Sequence, residues 1–317
     1  MARQPVDLEH LLRGVRAGDA RSVGRVITLV ENSSAALPTI MRELARDTGH
    51  AHIIGLTGSP GVGKSTTTTA LVTALRQRGE RVAVLAVDPS SPFSGGALLG
   101  DRVRMQQHAL DPGVFIRSMA TRGHLGGLAV AAPQALRVFD AAGVDTVIVE
   151  TVGVGQSEVE IAGTADTTLV LLAPGMGDGI QAAKAGILEI GDIFVVNKSD
   201  RDGAQPLVSE LRMMIGLGTR GPQDWKPPIV STVAHEGHGI EELLVEVAAF
   251  RQSQATTGQG VRRRVARARR EVESLALARL RSEFSLGGRA GLDALAERVS
   301  AGELDPYAAA DRLLAQL

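Results

Sequence analysis

The stretch GSPGVGKSTTTTAL, residues 58–71, follows directly on the apolar run HIIGLT, residues 52–57, and the junction between them decides the fold. Gly58, Gly63, Lys64 and Ser65 match G-x-x-x-x-G-K-[ST] between an expected strand and an expected helix, the context that makes this pattern specific. The glycines let backbone N–H groups, including those of Gly61 and Val62, turn inward around phosphate oxygens. The helix that follows presents its positive end to the same charge. Lys64 is expected to reach the terminal phosphates, Ser65 to ligate Mg²⁺ and Thr66 to lie near an inner phosphate.

Outward from this loop the chain alternates short apolar runs with helical segments. After HIIGLT come RVAVLAVD, VFIRSM, DTVIVET, DTTLVLLA, DIFVVNK and PPIVSTV. Runs rich in Val, Ile and Leu without polar alternation suit strands buried on both faces, as in a parallel sheet covered by helices. The expected fold class is therefore α/β, a P-loop NTPase with a mostly parallel central sheet covered by helices. Residues 1–50 read as an N-terminal helical extension, with Leu8, Leu11, Leu12 and Val15 at helical spacing, residues 51–250 as the nucleotide-binding domain and 251–317 as a C-terminal helical arm. QSQATTGQG, residues 252–260, reads as a linker into the arm. Beyond it Val261, Val265, Ala268, Val272 and Leu275 step by 4, 3, 4 and 3, the spacing either of a two-helix seam or of an amphipathic helix lying on its own domain. Six arginines between 262 and 270 read as a solvated helix face or a protein contact, because no aromatics interleave them. Near the end, Asp305 is placed to cap a short helix that has Pro306 at its first position.

With 35 acidic and 34 basic residues the chain carries a formal net charge of -1, so no global field attracts nucleic acid or an anionic membrane. The chain has no cysteine, which excludes a disulfide framework and any thiolate metal site and fits a reducing compartment. No signal-peptide core is visible at the N-terminus, and no run approaches the ~20 apolar residues that span a bilayer, so a cytoplasmic location is expected.

A P-loop alone does not choose between ATP and GTP. VVNKSD, residues 195–200, ends an apolar strand with Asn197, Lys198 and Asp200 in the pattern N-K-x-D. The Asp200 carboxylate can accept from the N1 and N2 donors of guanine, whereas adenine leaves it unpaired, so it discriminates between the bases. Asn197 would brace the loop and the Lys198 stem would cover the base plane. Ser231, Thr232 and Val233 would supply backbone contacts to the guanine carbonyl.

Between these motifs, Glu150 ends a strand and Gly153 follows where many GTPases have D-x-x-G. There the acid faces Mg²⁺ and the glycine N–H senses the γ-phosphate. Asp88 at a strand end and Asp101 after a glycine-rich stretch lie where ligands bind in parallel sheets, and one or both are expected at Mg²⁺ or its waters. Each could equally be a helix cap. Val154 follows Gly153, so a water-orienting glutamine is missing there, Gln156 sits further along, and slow intrinsic turnover is expected. Arg122 and His124 lie in a glycine-rich loop, where a mobile cation near the phosphates and ordinary loop residues are both open readings.

Taken together, GSPGVGKST, VDPSSPFSGGALLGDRVRM, MATRGHLGGLA, ETVGVGQSE and NKSD resemble the MeaB/ArgK family of P-loop GTPases, which includes the human methylmalonic aciduria type A protein. Glu150 departs from general GTPases and matches this family's ETVG. The resemblance implies a homodimer that binds GTP or GDP with Mg²⁺, with the C-terminal arm serving dimerisation. It also implies a partner, an adenosylcobalamin-dependent acyl-CoA mutase of the methylmalonyl-CoA mutase type, whose cofactor loading the GTPase gates and which it protects or reactivates. Within it, Lys64, Asp101 and Glu150 carry the phosphate chemistry. PGMGDGIQAAKAG, residues 174–186, is a third mobile segment with Asp178 and Lys184 as candidate partner-linked catalytic residues.

Four other readings compete, one of them a non-enzymatic scaffold that binds nucleotide only for stability, which no residue opposes. An ATPase or kinase linked to lysine, arginine and ornithine transport is opposed by N-K-x-D, and a partition-type ATPase by Ser59 where that class has a second lysine. A metallochaperone GTPase wants a metal motif, and the seven histidines are scattered.

Overall fold

The computed structural model describes residues 7–89, 106–108, 110–121, 127–151, 163–175, 188–217, 221, 224–287 and 289–315. It resolves into two compact units, Met1–Arg267 and Ala268–Leu317. Among the described residues no helix is long and apolar enough to cross a membrane.

The first unit is built on seven strands: β1 (His52–Thr57), β2 (Val82–Pro89), β3 (Val114–Thr121), β4 (Thr146–Thr151), β5 (Thr167–Leu172), β6 (Ile193–Asn197) and β7 (Ile229–Thr232). They form one sheet in the order β3-β2-β4-β1-β5-β6-β7, and every recorded pairing is parallel. All seven apolar runs read from the sequence are these strands. Because they run in one direction, the ends of β1, β2, β4, β6 and β7 reach the same edge, and the chain crosses from one half of the sheet to the other beside β1. Ligands bind at such a switch point.

Side chains alternate between the faces along each strand. Ala83, Leu85, Val87, Val147 and Val149 point into a core shared with α1 (Leu8–Arg16), α2 (Ala20–Glu31), α3 (Leu37–Leu44) and α5 (Gly127–Ala141). The helical extension therefore shares one core with the sheet. Val82, Val84, Ile148, Leu169, Leu171 and Val195 point the other way, against α4 (Lys64–Gln77) and α7 (Ile240–Thr256). A third cluster holds α6 (Ala204–Leu217) on Val170, Leu172, Phe194 and Val196. Strands covered on both sides explain why their sequence lacks polar alternation.

The stretch at 252–260 is not a linker. Residues 252–256 continue α7, and only a turn at Thr257–Gly258 separates it from α8 (Gln259–Gly287). Gln254 is buried, Thr256 and Thr257 return their hydroxyls to the carbonyls of Gln252 and Ser253, and Gly258 takes the positive φ of +67° that ends the helix. Gln, Ala and Thr are compatible with a helix when one side is packed, which composition alone does not reveal.

Two of the arginines in α8 are anchors. Arg263 grips the buried Asp192 with two hydrogen bonds of 2.8 and 3.0 Å and stacks over Phe250. Arg267 donates to Asp166 and to the carbonyl of Thr164. Burial raises the Asp192 carboxyl above its ordinary range, and the Arg263 pair and the Thr168 N–H oppose the shift. Nearby, burial pushes His52 down to about 4, with Arg251 and Arg267 adding to the effect and Asp166 opposing it; its Nε2 pairs with Thr167 Oγ1 at 3.0 Å. In α8, Val261, Val265 and Val272 of the seam are exposed. In the second unit, α9 (Arg289–Ser300) packs on α10 (Pro306–Leu314), which Asp305 caps by accepting from Tyr307 and Ala308 N–H, with Pro306 at its first turn.

Candidate nucleotide site

The loop between β1 and α4 takes its shape from three glycines with positive φ: Gly58 at +141°, Gly61 at +81° and Gly63 at +99°. At two of them a side chain would also collide. A Cβ on Gly58 would stand 2.3 Å from the Leu171 carbonyl oxygen of β5, and one on Gly63 would stand 2.3 Å from Asn197 Nδ2. Glycine is thus required both for the turn and for the close approach. Gly63 is the N-cap of α4 and offers no side-chain cap, which leaves the first N–H groups of that helix for an anion.

Lys64 is buried and its ammonium lies back on the loop, 2.6 Å from the Gly58 carbonyl and 3.1 Å from that of Ser59. Ser65 and Thr68, three residues apart on one face of α4, converge on Glu150 of β4. Ser65 Oγ donates to Oε1 at 2.6 Å and Thr68 Oγ1 to Oε2 at 2.9 Å, and all three residues are buried. Thr66 is exposed at the first turn of the helix.

The N-K-x-D motif meets the phosphate loop directly. Asn197, 2% exposed at the end of β6, donates from Nδ2 to the Val62 carbonyl at 2.8 Å. Its Oδ1 accepts from Thr232 Oγ1 and from Ala234 N–H, both at 3.1 Å. One amide thereby ties together three loops far apart in sequence. Lys198 adopts φ +57° and its ammonium donates to the Gly61 carbonyl at 2.6 Å, while Ser199 N–H donates to the Thr232 carbonyl at 3.0 Å. Asp200 and Ser231 remain exposed at this edge, and Val233 is buried.

Residues 23–287 match the family described as Methylmalonyl Co-A mutase-associated GTPase MeaB. The chain belongs to the MeaB family of GTPases. GTPase ArgK of Escherichia coli (strain K12) is 37% identical over 259 residues, covering 80% of this chain and 78% of that protein. The mitochondrial methylmalonic aciduria type A homolog of Mus musculus is 33% identical over 326 residues, covering 97% of this chain and 79% of that protein. A crystal structure of a LAO/AO transport system kinase superposes with a TM-score of 0.69 at 27% identity, covering 99% of this chain and 98% of that one. As a MeaB-family member the chain is a GTPase with a P-loop site for guanine nucleotide.

Of the residues expected at a MeaB-type site, the fold brings together Gly58, Gly61, Val62, Gly63, Lys64, Ser65, Thr66, Glu150, Asn197, Lys198, Asp200, Ser231, Thr232 and Val233 at one sheet edge. Asp88 is the penultimate residue of β2 at that edge, and its side chain lies outside the described residues. Asp101, Gly153, Asp178 and Lys184, with Arg122, His124 and Gln156, lie outside them as well. Sequence reasoning missed Thr68 and the Ala234 N–H. The S-x-x-T spacing at Ser65 could have revealed the first, since residues three apart share a helix face. Nothing local marks the second.

Proposed function

We propose that the chain is a GTP-timed chaperone for an adenosylcobalamin-dependent acyl-CoA mutase of the methylmalonyl-CoA mutase type, gating cofactor loading and protecting or reactivating the mutase. The observation that carries this reading is likeness along the length of the chain: the family match spans 23–287, and the mouse methylmalonic aciduria type A homolog aligns with 97% of the chain.

The residues fit the role in a definite order. Lys64 exchanges carbonyl partners for phosphate oxygens, which are stronger acceptors. Asp200 reads the guanine N1 and N2 donors. Ser65 and Glu150 supply the hard oxygen ligands that suit Mg²⁺, with Asp88 and Asp101 as further acids. Mg²⁺ bound there would neutralise developing charge on the phosphates. Hydrolysis unaided by a partner is slow, and Asp178 and Lys184 act when the mutase is bound. Residues 1–50, 51–250 and 251–317 serve as extension, GTPase domain and arm. The arm joins two copies through the exposed valines of α8, and the work is done in the cytoplasm, without nucleic acid or membrane. A transport-linked kinase is the second reading, suggested by what the solved relative is called. It requires ATP as the favoured nucleotide, which Asp200 opposes.

The test is a purified methylmalonyl-CoA mutase followed through turnover until it inactivates. With the chain and GTP present its active lifetime lengthens and spent cofactor is replaced. An unchanged lifetime, with no complex in GDP, GTP or a non-hydrolysable analogue, overturns the proposal.

A further inference from the structure

The four threonines at 66–69 use their hydroxyls differently. Thr66 is exposed at the helix start. Thr67 and Thr69 return theirs to their own helix, to the carbonyls of Gly63 at 3.0 Å and Ser65 at 2.9 Å, the usual resting place for a hydroxyl in mid-helix. Thr68, fully buried, instead sends its hydroxyl out of α4 to Glu150 Oε2, while Ser65 holds Oε1. The carboxylate is thus pinned at both oxygens from one helix face.

This matters because a glutamate has one more rotatable bond than the aspartate that general GTPases carry here. A single hydrogen bond leaves that freedom in place, whereas two fix the side chain before any ligand arrives, lowering the entropy lost on binding. Outer partners that orient a ligating carboxylate also tune its hold on the metal. We propose that Thr68 is a positioning residue that locks the Glu150 rotamer, so that the carboxylate stands ready beside Ser65 for Mg²⁺. The proposal rests on reading Glu150 and Ser65 as the Mg²⁺-facing pair. Ser65 can keep donating its proton to Glu150 while a lone pair of the same oxygen serves the metal, so the contact with Thr68 need not break when nucleotide binds.

The experiment is a titration of fluorescent GDP into the full chain, in EDTA and across a Mg²⁺ series. It uses Thr68→Val, which removes the hydroxyl at nearly constant shape, Thr68→Ala in case valine packs badly, and Thr68→Ser, which restores the donor. The valine and alanine variants are expected to need roughly ten to a hundred times more Mg²⁺ for half-maximal tightening of GDP, with unchanged affinity in EDTA, and serine to return close to wild type. Wild-type Mg²⁺ dependence in both variants overturns the proposal. So does equal weakening with and without Mg²⁺, or failure of serine to rescue, either of which marks a merely structural threonine. Glu150→Gln separates the two levels. If it leaves Mg²⁺ dependence unchanged, the reading of the metal pair itself fails; if it shifts the dependence and Thr68→Val does not, only the role of Thr68 falls.

Discussion

Replacing Asn197 by alanine removes a side chain that joins the phosphate loop, the end of β6 and the loop after β7. Three buried or half-buried groups lose their partner at once: the Val62 carbonyl, the Thr232 hydroxyl and the Ala234 N–H. A buried polar group left unpaired costs about 1–3 kcal/mol. The neighbouring Gly61 and Ser231 are exposed, so water can reach part of the hole and the low end applies, giving roughly 3 kcal/mol in all. Chemical denaturation monitored by circular dichroism reads this loss directly. Asn197→Asp sharpens the test, because its carboxylate keeps the two acceptor contacts but sets an oxygen against the Val62 carbonyl. A carboxylate buried there with a carbonyl oxygen in place of its donor contact is expected to cost at least as much stability as alanine, and to weaken GDP at least tenfold, since the phosphate loop is no longer held. A stability loss below about 1 kcal/mol in Asn197→Ala, together with unchanged GDP affinity in both variants, would refute the brace.

Three further outcomes follow from the fold. Gly58→Ala, whose Cβ meets a backbone carbonyl oxygen at 2.3 Å in a left-handed conformation, is expected to abolish GDP binding in a fluorescence titration while most of the helical signal survives. Because His52 is held at about 4, the unfolded chain binds the extra proton between pH 6.5 and 4, and stability falls as pH drops through that window by about 3 kcal/mol. Thermal melts should show His52→Gln losing less over the same range. Arg263→Ala leaves the buried Asp192 with the Thr168 N–H but without its cation and, the guanidinium being 44% exposed so that water can replace it, should cost about 1–3 kcal/mol near neutral pH. Removing the arginine raises an already raised carboxyl further, so the deficit applies above that range and shrinks as acid protonates Asp192, which denaturation at two pH values will register.

Why the sequence disclosed some of this and not the rest has physical reasons. The strands were visible because burial on both faces demands unbroken apolar runs, and HIIGLT and TTLVLL are buried at every position. Gly58, Gly63 and Asn197 stood out because the P-loop and N-K-x-D patterns each confine several residues to a short window, and the structure brings the two loops into contact. Thr68 stayed hidden because its meaning depends on a carboxylate 82 residues away, and Ala234 because it acts through a backbone N–H that any residue carries. The linker was misread since glutamine and threonine near a glycine look like a loop until one face of the helix is buried. The arginines of α8 read as a solvated face or a protein contact, and the ion pairs of Arg263 and Arg267 showed only once Asp192 and Asp166 were found at the starts of neighbouring strands.

The most direct measurement is a calorimetric titration of GTP and of ATP into the wild-type chain and into Asp200→Ala. On the proposed reading, in which the Asp200 carboxylate accepts two donors from guanine and none from adenine, wild type prefers GTP by at least about a hundredfold. The variant should keep its grip on the phosphates yet bring the two nucleotides within about tenfold of each other. Equal affinity for ATP and GTP in the wild type, or an undiminished preference in the variant, would contradict the account.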